Sequence, residues 1–176
     1  MKTYKEHLID AMTMLSKNKK TIFVGQSMLY KGHALYNTVK HIPENKRLEM
    51  PVCEELQTGI CTGMAMNGFI PISIYPRMDF LICAINQIVN HLDKIEEMSD
   101  GEFKPKVIIR TAIGSSNPLM PGCQHNQDHT KALLELCTNI NIVKLYEKEQ
   151  IVDEYKKALE SDKSTILIEI PDLYEK

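Results

Sequence analysis

Five short runs, TIFVG (21–25), FIPISIY (69–75), KVIIRTA (106–112), INIVKLY (140–146) and STILIEI (164–170), concentrate Val and Ile without the strict polar alternation of a half-solvated strand. Strands of that composition are covered on both faces, the condition of a parallel sheet wrapped by helices. The intervening stretches have helical spacing. Residues 4–16 place Leu8, Ala11, Met12 and Leu15 on one face, and further helices are predicted over 51–68, 78–95, 128–139 and 148–161. Residues 26–45 read as a polar loop, EEMSDGEFKP as a turn-rich connector, and GSSNPLMPGCQHNQ (114–127) as a Gly/Pro/Ser loop. The fold class is therefore α/β, a mostly parallel sheet with helices on both faces. With no internal repeat and no boundary signal, residues 1–176 are expected to form one domain.

Two of these helices are apolar over an unusually wide arc. Leu56, Gly59, Ile60, Gly63 and Met64 form one stripe, in which the glycines would admit another backbone closely. Leu81, Ile85, Ile88 and Leu92 form a second, flanked by Ile82 and Val89. One sheet covers one side of a helix; the second apolar side points to self-association or another subunit interface.

A net charge of −2 and the lack of a basic cluster beyond KNKK (17–20) argue against nucleic acid. No apolar run approaches the ~18 residues that span a bilayer, and MKTYKEHLID is too polar for a signal peptide, so no membrane is expected and the chain reads as cytoplasmic. The five cysteines have no paired metal spacing and are odd in number, which speaks against a disulfide framework; three lie in apolar helical contexts, where Cys acts as a small hydrophobe.

In MPVCEELQTGICTGMAMNGF (50–69), Glu54 and Glu55 stand at the entrance of a run that carries no charge from Leu56 to Phe69. Acids in a first helical turn complement the helix dipole by about 0.3–1 kcal/mol. The other reading is that one of them is an acid/base group facing a pocket. Similarly, His125 is either a surface histidine or a group in one of the loops where α/β sheets gather function.

Three stretches in order, PVCEELQTGI, MDFLICAINQIVNHLDKI and KVIIRTAIGSSNPLMPGCQHNQ, together resemble one family: the pyrimidine-binding domain of thiamine-diphosphate enzymes, most closely the beta subunit of the 2-oxoacid dehydrogenase first component, with transketolase more distant. The family's P-(I/V)-S-E-x-G-x-x-G-I block falls on Pro51, Val52, Cys53, Glu54, Gly59 and Ile60. Its D-(F/Y)-x-x-x-A-(I/F)-(D/N)-Q-I helix falls on Asp79, Phe80, Ala84, Ile85, Asn86, Gln87 and Ile88. Met98, Ser99 and Gly101 match its connector, Arg110, Thr111 and Gly114 its strand end, and Gln124, His125 and Gln127 its Q-H-S-Q. The resemblance implies that Glu54 hydrogen-bonds a ring nitrogen of the cofactor's aminopyrimidine and so activates it, a task for a neutral carboxyl group that partial burial favours. Glu55, about 100° away on the helix, is left as a first-turn acid. The resemblance brings His125 to the reacting end of the cofactor as an acid/base or substrate-positioning group. It makes Phe80, Met78 and Gln26 cofactor contacts, while His129 is secondary and neither His33 nor His41 is singled out.

The chain departs from the family in four places. Gly25, Gln26 and Ser27 replace a glycine and paired acids after the first strand, so charge is expected to be missing there. Arg77 and Met78 stand before the Asp-Phe pair where an aromatic is usual, and Arg77 would suit an anionic substrate, a 2-oxo acid or a sugar phosphate. Cys53 replaces a serine. Finally, neither the GDG…N diphosphate-and-magnesium motif nor the family's C-terminal domain is found, so no metal ligands are expected here and Mg²⁺ would be bound by a separate diphosphate-binding subunit. The function expected is the pyrimidine-binding subunit of a heteromeric thiamine-diphosphate enzyme for decarboxylation, carboligation or ketol transfer. The alternative is a non-catalytic regulatory or structural subunit that keeps the fold. A dinucleotide oxidoreductase is disfavoured because no G-x-G-x-x-G follows the first strand.

Overall fold

The computed structural model of the chain describes residues 2–116 and 120–176. Its strands are β1 (Thr21–Gly25), β2 (Arg47–Glu49), β3 (Ile70–Tyr75), β4 (Ile108–Ala112), β5 (Asn141–Lys144) and β6 (Thr165–Glu169). They form one sheet in the order β2-β1-β3-β4-β6-β5, with every pairing parallel. The helices are α1 (Tyr4–Ser16), α2 (Glu54–Met66), α3 (Met78–Leu81), α4 (Ile95–Met98), α5 (Thr130–Leu136) and α6 (Ile151–Glu160). Among the described residues no helix is long and apolar enough to cross a membrane.

The Val/Ile runs behave as their composition requires. Adjacent residues of a strand enter opposite cores: Phe23, Ile108 and Leu167 lie under α1 and α6, while Val24, Ile109 and Ile168 meet α2, the 78–98 helical stretch and α5. Both faces of the central strands are thus dry, and all five residues of β4 and of β6 are buried, whereas the edge strands β2 and β5 are partly exposed.

Several local expectations are corrected. β2 was not anticipated in the sequence: it is a three-residue edge strand, RLE, with a charge on either side of Leu48 and therefore no apolar run to announce it. Part of the early loop, Ala34–Thr38, is a 3₁₀ turn. The helix expected from 51 begins at Glu54 after Cys53, so Pro51 lies outside its first turn, whereas Gly68 sits just past its end at φ +85° as expected. The stretch 78–95 is not one regular helix. It passes from α3 through a 3₁₀ turn (Ile82–Ala84) into a π-helical turn (Gln87–Leu92), with α4 beyond. The π turn widens at Asp93, whose N–H donates to Ile88 carbonyl at 2.9 Å. Asp93 is buried, and its carboxylate accepts the backbone N–H groups of Thr138, Asn139 and Ile140. Those bonds also stop α5 at Leu136 rather than 139, since its last amides are turned toward Asp93. Of the cysteines in helical contexts, Cys61 and Cys137 are buried but Cys83 is exposed.

One polar network interrupts the apolar core. Arg110 on β4 and Glu169 on β6, both fully buried, form a two-point ion pair through Arg110 Nε and, at 3.0 Å, Nη2. Tyr155 and Tyr174 hydroxyls donate to the same carboxylate at 3.0 and 2.6 Å. The pair and its tyrosines tie α6 and the chain's C-terminal segment to the sheet.

Candidate functional site

The strand order reverses direction at β1 and β3. The chain leaves β1 toward β2 on one side, whereas it leaves β3 toward β4 on the other. In an open parallel sheet such a switch point opens a crevice at the carboxyl ends of the strands. The segments that rim it here are Gln26 after β1, Glu54 at the start of α2, Pro76–Phe80 after β3, and the Cys123–His125 turn that lies against the last of these.

Glu54 is half-buried, and among the described residues its carboxyl group takes no hydrogen bond or ion pair. Its carbonyl accepts from Thr58 Oγ1 at 2.9 Å, and Thr58 in turn meets the buried Tyr75 hydroxyl at 2.6 Å. Tyr75 closes β3; burial pushes its hydroxyl well above the ordinary range, and the nearby Glu54 charge adds to that. Glu55 is exposed and accepts from Asn86 Nδ2 at 3.1 Å, tying α2 to the next helical stretch. The face of α2 that meets the sheet is the small polar one, Gln57, Thr58, Cys61, Thr62 and Ala65, and Gln57 Nε2 donates to Ser73 Oγ and Ile74 carbonyl at 3.0 and 3.2 Å. Of the expected stripe, Leu56 is 47% exposed and Gly63 has open space before it, whereas Gly59 faces Gln87 of the next helical stretch.

Gln26 is half-buried, and its carbonyl accepts from His33 Nε2 at 2.9 Å. Burial holds His33 below the ordinary histidine range. The charge expected to be missing after β1 arrives from elsewhere. Glu49, at the end of the unanticipated β2, accepts the backbone N–H groups of Ser27, Met28 and Leu29 at 2.6, 2.6 and 2.9 Å. This nest of donors fixes the turn beside Gln26, including Ser27 at φ +55°. His41 is exposed and pairs with Thr13.

Arg77, Met78, Phe80 and His125, named separately from the sequence, come together. Arg77 Nη1 donates to the His125 carbonyl at 3.1 Å, and the Phe80 and His125 rings meet edge to face with centroids 5.1 Å apart. Met78 Sδ accepts the His129 N–H at 3.0 Å, which places His129 behind the site. Sequence reasoning missed Asp79 and Gln127 as a pair. Asp79 is 8% exposed, and its Oδ1 accepts both Gln127 N and Gln127 Nε2 at 3.1 Å. Both residues lay inside quoted motif blocks, but nothing local signals contact across 48 positions. The loop leaving β4 is held at its start by Asp172, which accepts from Ser115 Oγ and Ser116 N. It re-enters the described region at Met120 and turns through Gly122, at φ +91°, into the short 3₁₀ turn Cys123–His125. Among the described residues no three His, Cys, Asp or Glu side chains are grouped to hold a metal ion.

No protein-family model matches the chain. It is 31% identical over 126 residues to the mitochondrial pyruvate dehydrogenase E1 component subunit beta of Ascaris suum, covering 72% of this chain and 34% of that one. It is 32% identical over 127 residues to the chloroplastic subunit beta-3 of Arabidopsis thaliana, covering 72% and 30%. The chain thus spans about a third of the length of these curated relatives. Among solved structures, a split-gene transketolase described as an inactive beta4 tetramer superposes with a TM-score of 0.71 at 21% identity, over 94% of this chain and 50% of that one. Transketolase from Campylobacter jejuni superposes with a TM-score of 0.72 at 14% identity, over 94% and 25%. The structural likenesses establish the fold that the residue blocks imply.

Proposed function

We propose, from its 31% identity to a pyruvate dehydrogenase E1 beta subunit over 72% of its length and from the fold it shares with transketolases, that the chain is the pyrimidine-binding half of a thiamine-diphosphate active site completed by a separate diphosphate-binding subunit. The observation that carries this reading is Glu54: a half-buried carboxyl group without a hydrogen-bond partner among the described residues, at a helix entrance on the carboxyl-end crevice. A polar group left unpaired in such a place is available to a ligand that can satisfy it.

Thiamine diphosphate, when bound, supplies a carbanionic carbon and an electron sink for chemistry at a carbonyl. The residues of this chain fit its pyrimidine end. Glu54 offers the hydrogen bond to a ring nitrogen, and Phe80 an apolar ring surface, with Gln26 at the rim; Met78, expected as a cofactor contact, is instead 1% exposed, with its sulfur turned to the His129 N–H in the core behind them. His125, its backbone held by Arg77 and its ring against Phe80, is the acid/base or substrate-positioning group. Arg77 spends one N–H on the His125 carbonyl and keeps others for an anionic substrate, a 2-oxo acid or sugar phosphate. The diphosphate and Mg²⁺ are assigned to the partner subunit. The outward stripe of α2, where nothing lies within 4 Å of a Cβ built on Gly63, supports self-association through this face.

Titration calorimetry with thiamine diphosphate and Mg²⁺, on this chain alone and with a candidate diphosphate-binding subunit, tests the proposal. Binding is expected only in the mixture. Glu54→Gln should then lose turnover by at least two orders of magnitude while the complex and the fold persist. A fully active Glu54→Gln complex would sink the assignment and leave the regulatory-subunit reading.

A further inference from the structure

Four consecutive residues, Arg77 to Phe80, each touch the segment from His125 to His129. Arg77 holds the His125 carbonyl, Met78 sulfur takes the His129 N–H, Asp79 takes two N–H groups of Gln127, and Phe80 meets the His125 ring. We propose that this tetrapeptide is the cradle that orients His125, with Asp79 as its fixed point and a positioning residue of the site. The proposal rests on the reading that gives His125 a part in the chemistry.

Asp79 bears the argument because of what its burial costs. A carboxylate withdrawn from water is costly unless hydrogen-bonded. Asp79 is more than nine-tenths buried, its Oδ2 has no partner among the described residues, and both bonds to its Oδ1 come from Gln127. If Gln127 leaves, Asp79 stays buried with nothing. The start of α3 and the loop end at Gln127 are therefore coupled.

The seating is tight on the other side as well. A Cβ on Gly114, at the loop's start, would lie 2.4 Å from Asn126 Cα and 2.0 Å from Asn126 Oδ1. The residue after His125 is thus clamped between Gly114 and the Asp79–Gln127 bonds. Residue 125 itself is held twice, by its backbone through Arg77 and by its ring through Phe80. Two of the four cradle positions, Arg77 and Met78, are those at which this chain departs from the family's aromatic, so the grip is built from its own residues.

The test uses the full chain with labelled histidines and amide hydrogen exchange by NMR, with His125→Gln assigning the ring signals. In Asp79→Ala, the Gln127 amide should exchange about tenfold faster or more, as for loss of a charge-assisted bond. The His125 ring signals should shift, while the β4 amides of Ile109 and Arg110 keep their protection. Asp79→Asn retains a side-chain oxygen and should largely restore both readouts. Unchanged His125 signals in Asp79→Ala would overturn the proposal, whether or not Gln127 is released. Should Asp79→Ala fail to fold, Arg77→Ala gives a His125 readout that leaves Asp79 and its bonds to Gln127 in place. If instead His125→Gln proves fully active in the assembled enzyme, the catalytic reading of His125 fails while the cradle stands.

Discussion

Replacing Glu49 with Gln should destabilise the chain as much as replacing it with Ala, the reverse of what size alone suggests. Glu49 Oε1 accepts from Ser27 N, and Oε2 accepts from both Met28 N and Leu29 N. An amide has only one oxygen. In its better orientation Gln keeps Met28 and Leu29 and turns an NH₂ toward the Ser27 N–H, donor against donor. Ser27 is 6% exposed, so water cannot readily take over that N–H. One buried donor left unpaired costs about 1–3 kcal/mol, and two bonds fall from charge-assisted to neutral at about 1 kcal/mol each. Partial hydration through the exposed Leu29 offsets some of this, giving roughly 2–3 kcal/mol. Urea unfolding should show a lower midpoint at unchanged slope, and thermal unfolding a fall of roughly 4–12 °C. Glu49→Ala admits water to all three amides and should be no worse. A Gln variant within about 0.5 kcal/mol of the parent chain would refute the donor-against-donor argument.

Two further outcomes follow from buried and paired charges. Arg110→Met leaves Glu169 fully buried with only two tyrosine hydroxyls and should cost about 3–5 kcal/mol, measured by urea unfolding; a loss below about 1 kcal/mol would mean the pair contributes nothing that packing cannot replace. Burial alone would raise the Asp128 carboxyl, but hydrogen bonds from Lys144 and Thr130 outweigh it and hold the group at about 2. With the folded value below the unfolded value of about 3.9, its stabilisation is complete above about pH 4 and is lost as pH falls toward 2. Because the side chain is 41% exposed, solvent screening keeps the effect under about 1 kcal/mol. Asp128→Asn should therefore be less stable than the parent at about pH 6 and nearly equal to it near pH 2; a gap that persists at the acid end would exclude this linkage.

The sequence by itself determined the layer architecture and which residues the proposed site would draw on. Runs such as VII (107–109), which leads into β4, and ILI in β6 have no solvent face to assign, so they can only be central strands of a covered sheet. The uncharged run behind Glu54 likewise marked an acid at the entrance of α2, and the motif blocks pointed to the same beta subunits that the curated relatives represent. These signals are local, repeating every two or 3.6 residues, and survive without knowledge of what packs against them. What only the tertiary structure decided is non-local. β2 has no apolar signature because an edge strand needs none, and its Glu49 finds its donors 20 to 22 residues back. The π turn exists to deliver Asp93 to amides 45 to 47 residues on. Asp79 meets Gln127 across 48 residues, and Arg110 meets Glu169 across 59. Such pairs are set by strand order, which brings the carboxyl ends of β3, β4 and β6 side by side. A carboxylate looks the same in sequence whether it is solvated or buried against its one partner, and only the completed sheet distinguishes the two.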